Sequence, residues 1–113
     1  MALIRISGSQ VWKCGRQVFE SLLHDLYERL APTRVELARM VALVVDSRLP
    51  WWSLESLDAE DFRALLAAAQ ATHQAWADRG PTTLADLDAY SGRLSCLKDF
   101  VLLLLRDERA GRP

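Results

Sequence analysis

Proline divides this chain into four pieces, and each piece has the hydrophobic period of an α-helix. The breaks fall at Pro32, at Pro50 and at the pair Gly80-Pro81. Proline has no backbone N–H and disfavours the helical conformation in the residue before it, so each break is a helix stop. The sequence therefore predicts four helices, over residues 8–30, 33–49, 58–79 and 83–109.

Composition favours the same architecture. Of 113 residues, 20 are Leu and 15 are Ala, whereas Val, Ile and Thr together number 13. Leu and Ala are strong helix formers, and the β-branched residues are too few for a domain dominated by sheet. A chain of this length forms one domain. The predicted fold is an all-α, single-domain bundle over residues 1–113.

Capping signals set the predicted helix ends. Ser7 and Gln10 have the spacing of a capping box before the first helix, and Thr33 with Glu36 has it before the second. Asp58 is the expected N-cap of the third helix. In the fourth helix the pair Ser91-Gly92 interrupts the pattern, which leaves open a kink there.

The N-terminal segment Leu3-Ile4-Arg5-Ile6 alternates briefly between apolar and polar side chains at its last three residues, as an extended segment does. Without a second strand in the predicted fold, this segment is expected to lie across the bundle or to pair with another chain.

Charge and hydropathy exclude several classes of function. The formal net charge is -1, so nucleic-acid binding through phosphate neutralisation is not expected. No apolar run exceeds six residues, so neither a membrane span nor a secretory signal is predicted. Cys14 and Cys96 fit no metal or redox spacing and are expected to be reduced, packed thiols of a cytoplasmic protein.

The connector between the second and third helices, residues 49–61, is the most informative segment; we call it the acidic connector. It contains two adjacent tryptophans followed by four acids with no base between them: Trp51, Trp52, Glu55, Asp58, Glu60 and Asp61. Tryptophan is enriched in binding hot spots, and carboxylates attract a basic partner. These six residues are the predicted partner-binding surface. The alternative is that both indoles fill the end of the bundle and the acids cap the third helix.

Other candidate sites have weaker support. His24 lies one helical turn from both Glu20 and Glu28, but the spacing differs from that of di-metal bundles and has no second copy. A solvated helix face is the simpler interpretation, and no metal or other cofactor is predicted. His73 and Trp76 on the third helix and Tyr90 on the fourth mark a possible ligand site between those helices.

No residues combine a nucleophile with an acid or base at catalytic spacing, so the chain is not predicted to be an enzyme. The favoured function is a cytoplasmic protein-binding module that acts by occupancy. Its size, helicity and lack of a catalytic motif resemble those of small immunity proteins, antitoxins and other inhibitors. Two alternatives stay open: a ligand-binding or enzymatic bundle, and a homo-oligomer joined through the apolar run 100–105.

Overall fold

The computed structural model describes residues 1–111 and, at Ala85, the backbone alone. Within this range the chain forms four α-helices and three short β-strands. In chain order these are β1 (Ala2–Arg5), β2 (Val11–Cys14), α1 (Arg16–Leu30), α2 (Val35–Asp46), β3 (Trp51–Ser53), α3 (Ala59–Arg79) and α4 (Leu87–Arg106). Short 3-10 turns cover Leu84–Asp86 and Glu108–Ala110. The domain is mostly helical, so the prediction of helices is confirmed and the prediction of an all-α bundle is wrong.

The three strands form one sheet in the order β2-β1-β3. β1 and β2 are antiparallel, with Ile4 opposite Trp12, and β1 and β3 are parallel, with Ile4 level with Trp52. The extended N-terminal segment therefore does pair, and its partners belong to the same chain. Neither predicted placement of residues 3–6, across a bundle or against another chain, is correct.

The first predicted helix begins too early, because its first residues form a hairpin. The backbone N–H groups of Ser7 and Gln10 donate to each other's carbonyl oxygens at 3.2 Å, which closes a turn rather than a capping box. Val11–Cys14 then runs back beside β1, with Trp12 and Cys14 buried and Lys13 exposed. This alternation has the period of a strand. Helix α1 begins only after Gly15, which is its N-cap.

Helix α2 is shorter than predicted at both ends. Its N-cap is Arg34 rather than Thr33, and no side chain caps it. At the other end the N–H of Leu49 donates to the carbonyl of Val44, and that of Arg48 to the carbonyl of Val45, both at 3.1 Å. This pair of bonds is a Schellman motif, which ends a helix through a left-handed residue. That residue is Arg48, with φ 54°.

Helices α3 and α4 follow the prediction more closely. Asp58 caps α3, since its Oδ1 accepts from the N–H of Asp61 at 2.8 Å, and Gly80 ends the helix with φ 68°. Helix α4 begins at Leu87, after the turn that Thr83 caps, and ends at Arg106 rather than 109. It continues as one α-helix through Ser91-Gly92, where the sequence left a break open.

The core lies between one face of the sheet and the helices. Trp12 joins the two layers: its ring centroid is 4.7 Å from that of Phe100, and its Nε1 donates to the carbonyl of Cys96 at 3.0 Å. From β1 and α1, Ile4, Phe19 and Leu22 are fully buried in the same cluster. The opposite face of the sheet remains outside this core.

Candidate partner-binding surface

Trp51 and Trp52 lie on opposite faces of strand β3. Trp51 is 51% exposed, whereas Trp52 is 4% exposed and belongs to the core cluster. Successive side chains of a strand point to opposite faces, so this outcome follows from the extended backbone of residues 51–53. The alternative of buried indoles therefore applies to Trp52 alone, and the partner surface stays a prediction for Trp51. Trp51 is available to a partner, and Trp52 is a core residue in this conformation.

The four acids of the acidic connector have partners within the chain. Arg34 lies 2.9 Å from Glu60 and 3.6 Å from Asp61, measured between its Nη atoms and the nearest carboxylate oxygens. Asp58 accepts the capping bond that begins α3. The Glu55 carboxylate lies 3.8 Å from Nε of Arg5. The side chains of Glu55 and Glu60 are nevertheless 50% and 74% exposed, so these two remain accessible.

Trp51 belongs to a wider surface that the sequence analysis missed, the outer sheet face. It consists of the strand residues whose side chains alternate with the buried set: Leu3, Arg5, Val11, Lys13, Trp51 and Ser53. In the strand register Trp51 is level with Leu3, and Leu3 is opposite Lys13, so the three form one row across the sheet. The alternation at residues 3–6 was the signal in the sequence for this sheet. It could be recognised as part of a sheet only together with β2 and β3, which have four and three residues and are too short to predict.

A polar cleft of about 220 Å³ lies where α1, α3 and α4 meet. Its lining includes Trp76, Tyr90, Arg79 and Arg93. Trp76 donates from Nε1 to the Asp25 carboxylate at 2.6 Å. Two of the three residues proposed for a ligand site between helices three and four therefore lie in one cleft.

The third residue of that proposed ligand site, His73, is not among the residues that line the cleft. The hydroxyl of Tyr90 donates to the carbonyl of Ala77 at 3.1 Å, so its proton is already engaged.

The stripe around His24 is a row of exposed polar contacts at i, i+4 spacing. Nε2 of His24 lies 3.2 Å from Glu28, and Glu20 pairs with Arg16 at 3.0 Å. Among the described residues, no three His, Cys, Asp or Glu side chains come together as a group that would hold a metal ion. The solvated-face interpretation of this stripe agrees with its exposure.

Both cysteines are free, and Cys14 is buried. Burial raises the pKa of Cys14 to about 12, with a further contribution from Cys96, which lies near it across the β2–α4 contact. Burial also raises the pKa of Cys96, and Asp99 adds to the effect. The thiolate is the nucleophilic form of cysteine, so these environments disfavour thiol chemistry near neutral pH.

The apolar run 100–105 on α4 is divided between core and surface. Phe100 and Leu104 are fully buried, whereas Leu102 and Leu105 are 43% and 47% exposed. The first pair therefore packs inside the domain. The second pair is the part of this run that a homodimer would use. Over residues 1–111, no helix has the length and hydropathy needed to cross a membrane.

Comparison with known proteins shows a similarity of fold to one solved structure and no match in sequence. No protein-family model matches the chain, and no curated protein matches it in sequence. Among solved structures, the chain is similar to the CdiI immunity protein in the complex of the CdiA-CT toxin from Burkholderia pseudomallei E479 with its cognate immunity protein. The TM-score is 0.76, with 98% of this chain and 100% of that chain covered and 18% sequence identity. This chain therefore has the mostly helical fold of that immunity protein.

Proposed function

We propose that this chain is an immunity-type inhibitor, which binds a toxic partner protein in the cytoplasm and blocks it by occupancy, without catalysing a reaction. The observation that carries the proposal is the match in fold over 98% of this chain and 100% of the matched chain. Fold alone does not fix function, because one fold hosts many activities. A second observation agrees with it: a large aromatic residue, Trp51, is half exposed in a chain whose other three tryptophans are all buried.

Trp51 is the proposed anchor of the binding surface. Tryptophan contributes large contact area at protein interfaces, and hot spots cluster around such residues. Of the six residues predicted from sequence, four are exposed: Trp51, Glu55, Asp58 and Glu60. A basic partner would be attracted to the two glutamates, but Arg5 and Arg34 already compete for them.

The test of the proposed function is growth rescue. The tagged chain captures its partner from the lysate of its native host, and the captured protein is then expressed alone in a laboratory bacterium. We expect expression of that protein to arrest growth, co-expression of this chain to restore it, and the purified pair to form a complex of defined stoichiometry. Capture of proteins that are harmless when expressed alone, or growth arrest that this chain does not relieve, contradicts the proposal.

The cleft between α1, α3 and α4 supports a second candidate, a small-ligand-binding bundle. Ligand sites in helical proteins occupy such clefts, and this one presents an indole, a phenol and two guanidinium groups. A ligand held there would co-purify with the chain and appear in native mass spectrometry as a mass that Trp76→Phe or Arg93→Ala removes. A protein of the bare chain mass counts against this candidate.

A further inference from the structure

We infer that the outer sheet face, which includes Trp51, is the docking surface, that the four acids of the acidic connector are not, and that the partner presents carboxylates to this face. This inference rests on the proposed function, because it names the surface that an inhibitor of this kind would use. The sequence indicated a basic partner, whereas this inference assigns acidic groups to the partner's binding surface.

The first step is composition. Half of the outer sheet face is large and apolar, namely Leu3, Val11 and Trp51. Antiparallel and mixed sheets commonly expose one face to water, and that face is then polar. Here Trp51 is 51% exposed and stands level with Leu3, which like Val11 is half-buried, so an apolar row leads from the edge strand to the centre of the sheet. An apolar row of this kind has the character of an interface core rather than of a solvated face.

The second step is charge. Lys13 lies at the far end of the same row, two strands and therefore about 10 Å from Trp51, and Arg5 lies in the neighbouring row. Within residues 1–111, no carboxylate pairs with Lys13 at ion-pair distance. Glu55 is the acid that approaches Arg5, at 3.8 Å and half exposed. The apolar row is thus flanked by two cations and one carboxylate.

The third step compares this face with the acidic connector. There, Arg34 pairs with both Glu60 and Asp61, and Asp58 is engaged in capping α3. Two of the connector's four acids thus share one arginine, whereas Lys13 has no acid at ion-pair distance among residues 1–111. A partner with an apolar patch bordered by Asp or Glu complements the outer sheet face in both respects.

The experiment uses the partner purified from the growth-rescue test. The chain contains two lysines, Lys13 on the outer sheet face and Lys98 on α4, and both are exposed. Acetylation of the free chain and of the complex, read by mass spectrometry, compares them directly. We expect Lys13 to react at least about tenfold more slowly in the complex and Lys98 to react at the same rate in both states.

Substitutions give the second measurement. Trp51→Ala is expected to raise the dissociation constant at least about tenfold, as loss of a hot-spot tryptophan does. Lys13→Glu is expected to weaken binding at low salt, with a smaller effect at high salt because ions screen the attraction. Lys98→Glu makes the same charge change on another element and is expected to leave binding unchanged. Circular dichroism confirms that each variant is folded.

Each contrary outcome has a distinct meaning. If Lys13 stays reactive in a complex that still rescues growth, the docking surface lies elsewhere and the proposed function stands. If Lys13→Glu tightens binding, the partner is basic and the inferred sign is wrong. If the free chain sediments as a dimer that Trp51→Ala dissociates, a second copy occupies the face. If no toxic partner binds, the proposed function and this inference both fail.

Discussion

Arg109 donates a hydrogen bond from Nη2 to the carbonyl oxygen of Ile6 at 2.7 Å, across 103 positions of the chain. Its Nη1 donates to the carbonyls of Leu54 and Leu57 at 2.6 and 3.0 Å. The guanidinium carbon also lies 4.3 Å from the centre of the Phe62 ring. One side chain therefore satisfies carbonyls that follow β1 and β3 while it stacks on α3. The C-terminal turn thus holds the sheet against the helices.

Arg109→Ala is expected to lower the free energy of unfolding by about 2–4 kcal/mol, because it leaves part-buried carbonyls unpaired and removes the cation–π contact. Arg109→Lys is expected to recover little of this loss, since an ammonium group lacks the planar fork that reaches three carbonyls. Urea unfolding measures both values. Arg106→Ala, an exposed arginine at the end of α4, is the matched control and is expected to change stability by less than about 0.5 kcal/mol. Equal effects at the two positions would contradict the assigned role of Arg109.

The Asp107–Arg109 pair predicts a loss of stability in acid. Hydrogen bonds from Arg109 hold the pKa of the Asp107 carboxyl below its ordinary value of 3.8. A depressed folded-state pKa contributes stability that is complete above the unfolded pKa and is lost as the pH falls through the folded one. We therefore expect the stability difference between wild type and Asp107→Asn to be constant above about pH 5 and to shrink below pH 3.8. A difference that does not depend on pH would show that the carboxylate charge is immaterial.

Arg48 predicts a stabilising substitution. It occupies the left-handed position of the Schellman motif with φ 54°, where a Cβ atom costs about 1–2 kcal/mol and glycine has no such cost. After the entropy that glycine adds to the unfolded chain, Arg48→Gly is expected to raise the free energy of unfolding by about 0.5–1 kcal/mol. Arg48→Ala keeps the strain and serves as the control. Thermal unfolding separates the two, and a stabilisation by alanine equal to that by glycine would indicate that removal of the arginine charge is the cause.

Cys14 predicts both low reactivity and a loss of stability in base. Its pKa of about 12 lies above the ordinary value of 9.0, so the folded protein keeps the proton that the unfolded chain releases. Stability from this group is therefore complete below pH 9 and is lost as the pH rises toward 12. At pH 8 we expect iodoacetamide to label Cys14 only on the timescale of unfolding. Rapid labelling of Cys14 without unfolding would contradict its burial, and Cys14→Ser provides the blank.

Local signals predicted the helices better than the sheet, for identifiable reasons. Asp58 and Gly80 determine the ends of α3 through their own backbone and side-chain chemistry, so the sequence located both ends. The apolar residues of Val11–Cys14 also fit a helical stripe. The pairing of this segment with β1 depends on a hairpin turn between Ser7 and Gln10, and the spacing of these two residues is also that of a helix capping box. β3 has three residues, too few to show a period.

In the candidate site, too, local features were predictable from the sequence and contacts between distant segments were not. Trp51 and Trp52 lie on opposite faces because they are adjacent in a strand, but the sequence indicated neither that strand nor which indole is buried. Arg34 is remote in sequence from Glu60 and Asp61, so their pairing was not predictable from the run of acids alone. The cleft residues Trp76 and Tyr90 were correctly grouped because the helices that carry them are consecutive.

Alanine substitution is expected to affect stability very differently at the two adjacent tryptophans. Trp52→Ala removes a buried indole from the core and is expected to lower the free energy of unfolding by about 3–5 kcal/mol. Trp51→Ala removes a half-exposed indole from an edge strand, so its effect on folding is expected to stay within about 1 kcal/mol. Urea unfolding measures both, and partner binding by the Trp51 variant is measured under conditions where it is fully folded. If Trp51→Ala destabilises the fold as much as Trp52→Ala, the exposed indole has a structural role and its assignment as a binding anchor fails. If it leaves both folding and binding intact, the indole is a solvated edge residue.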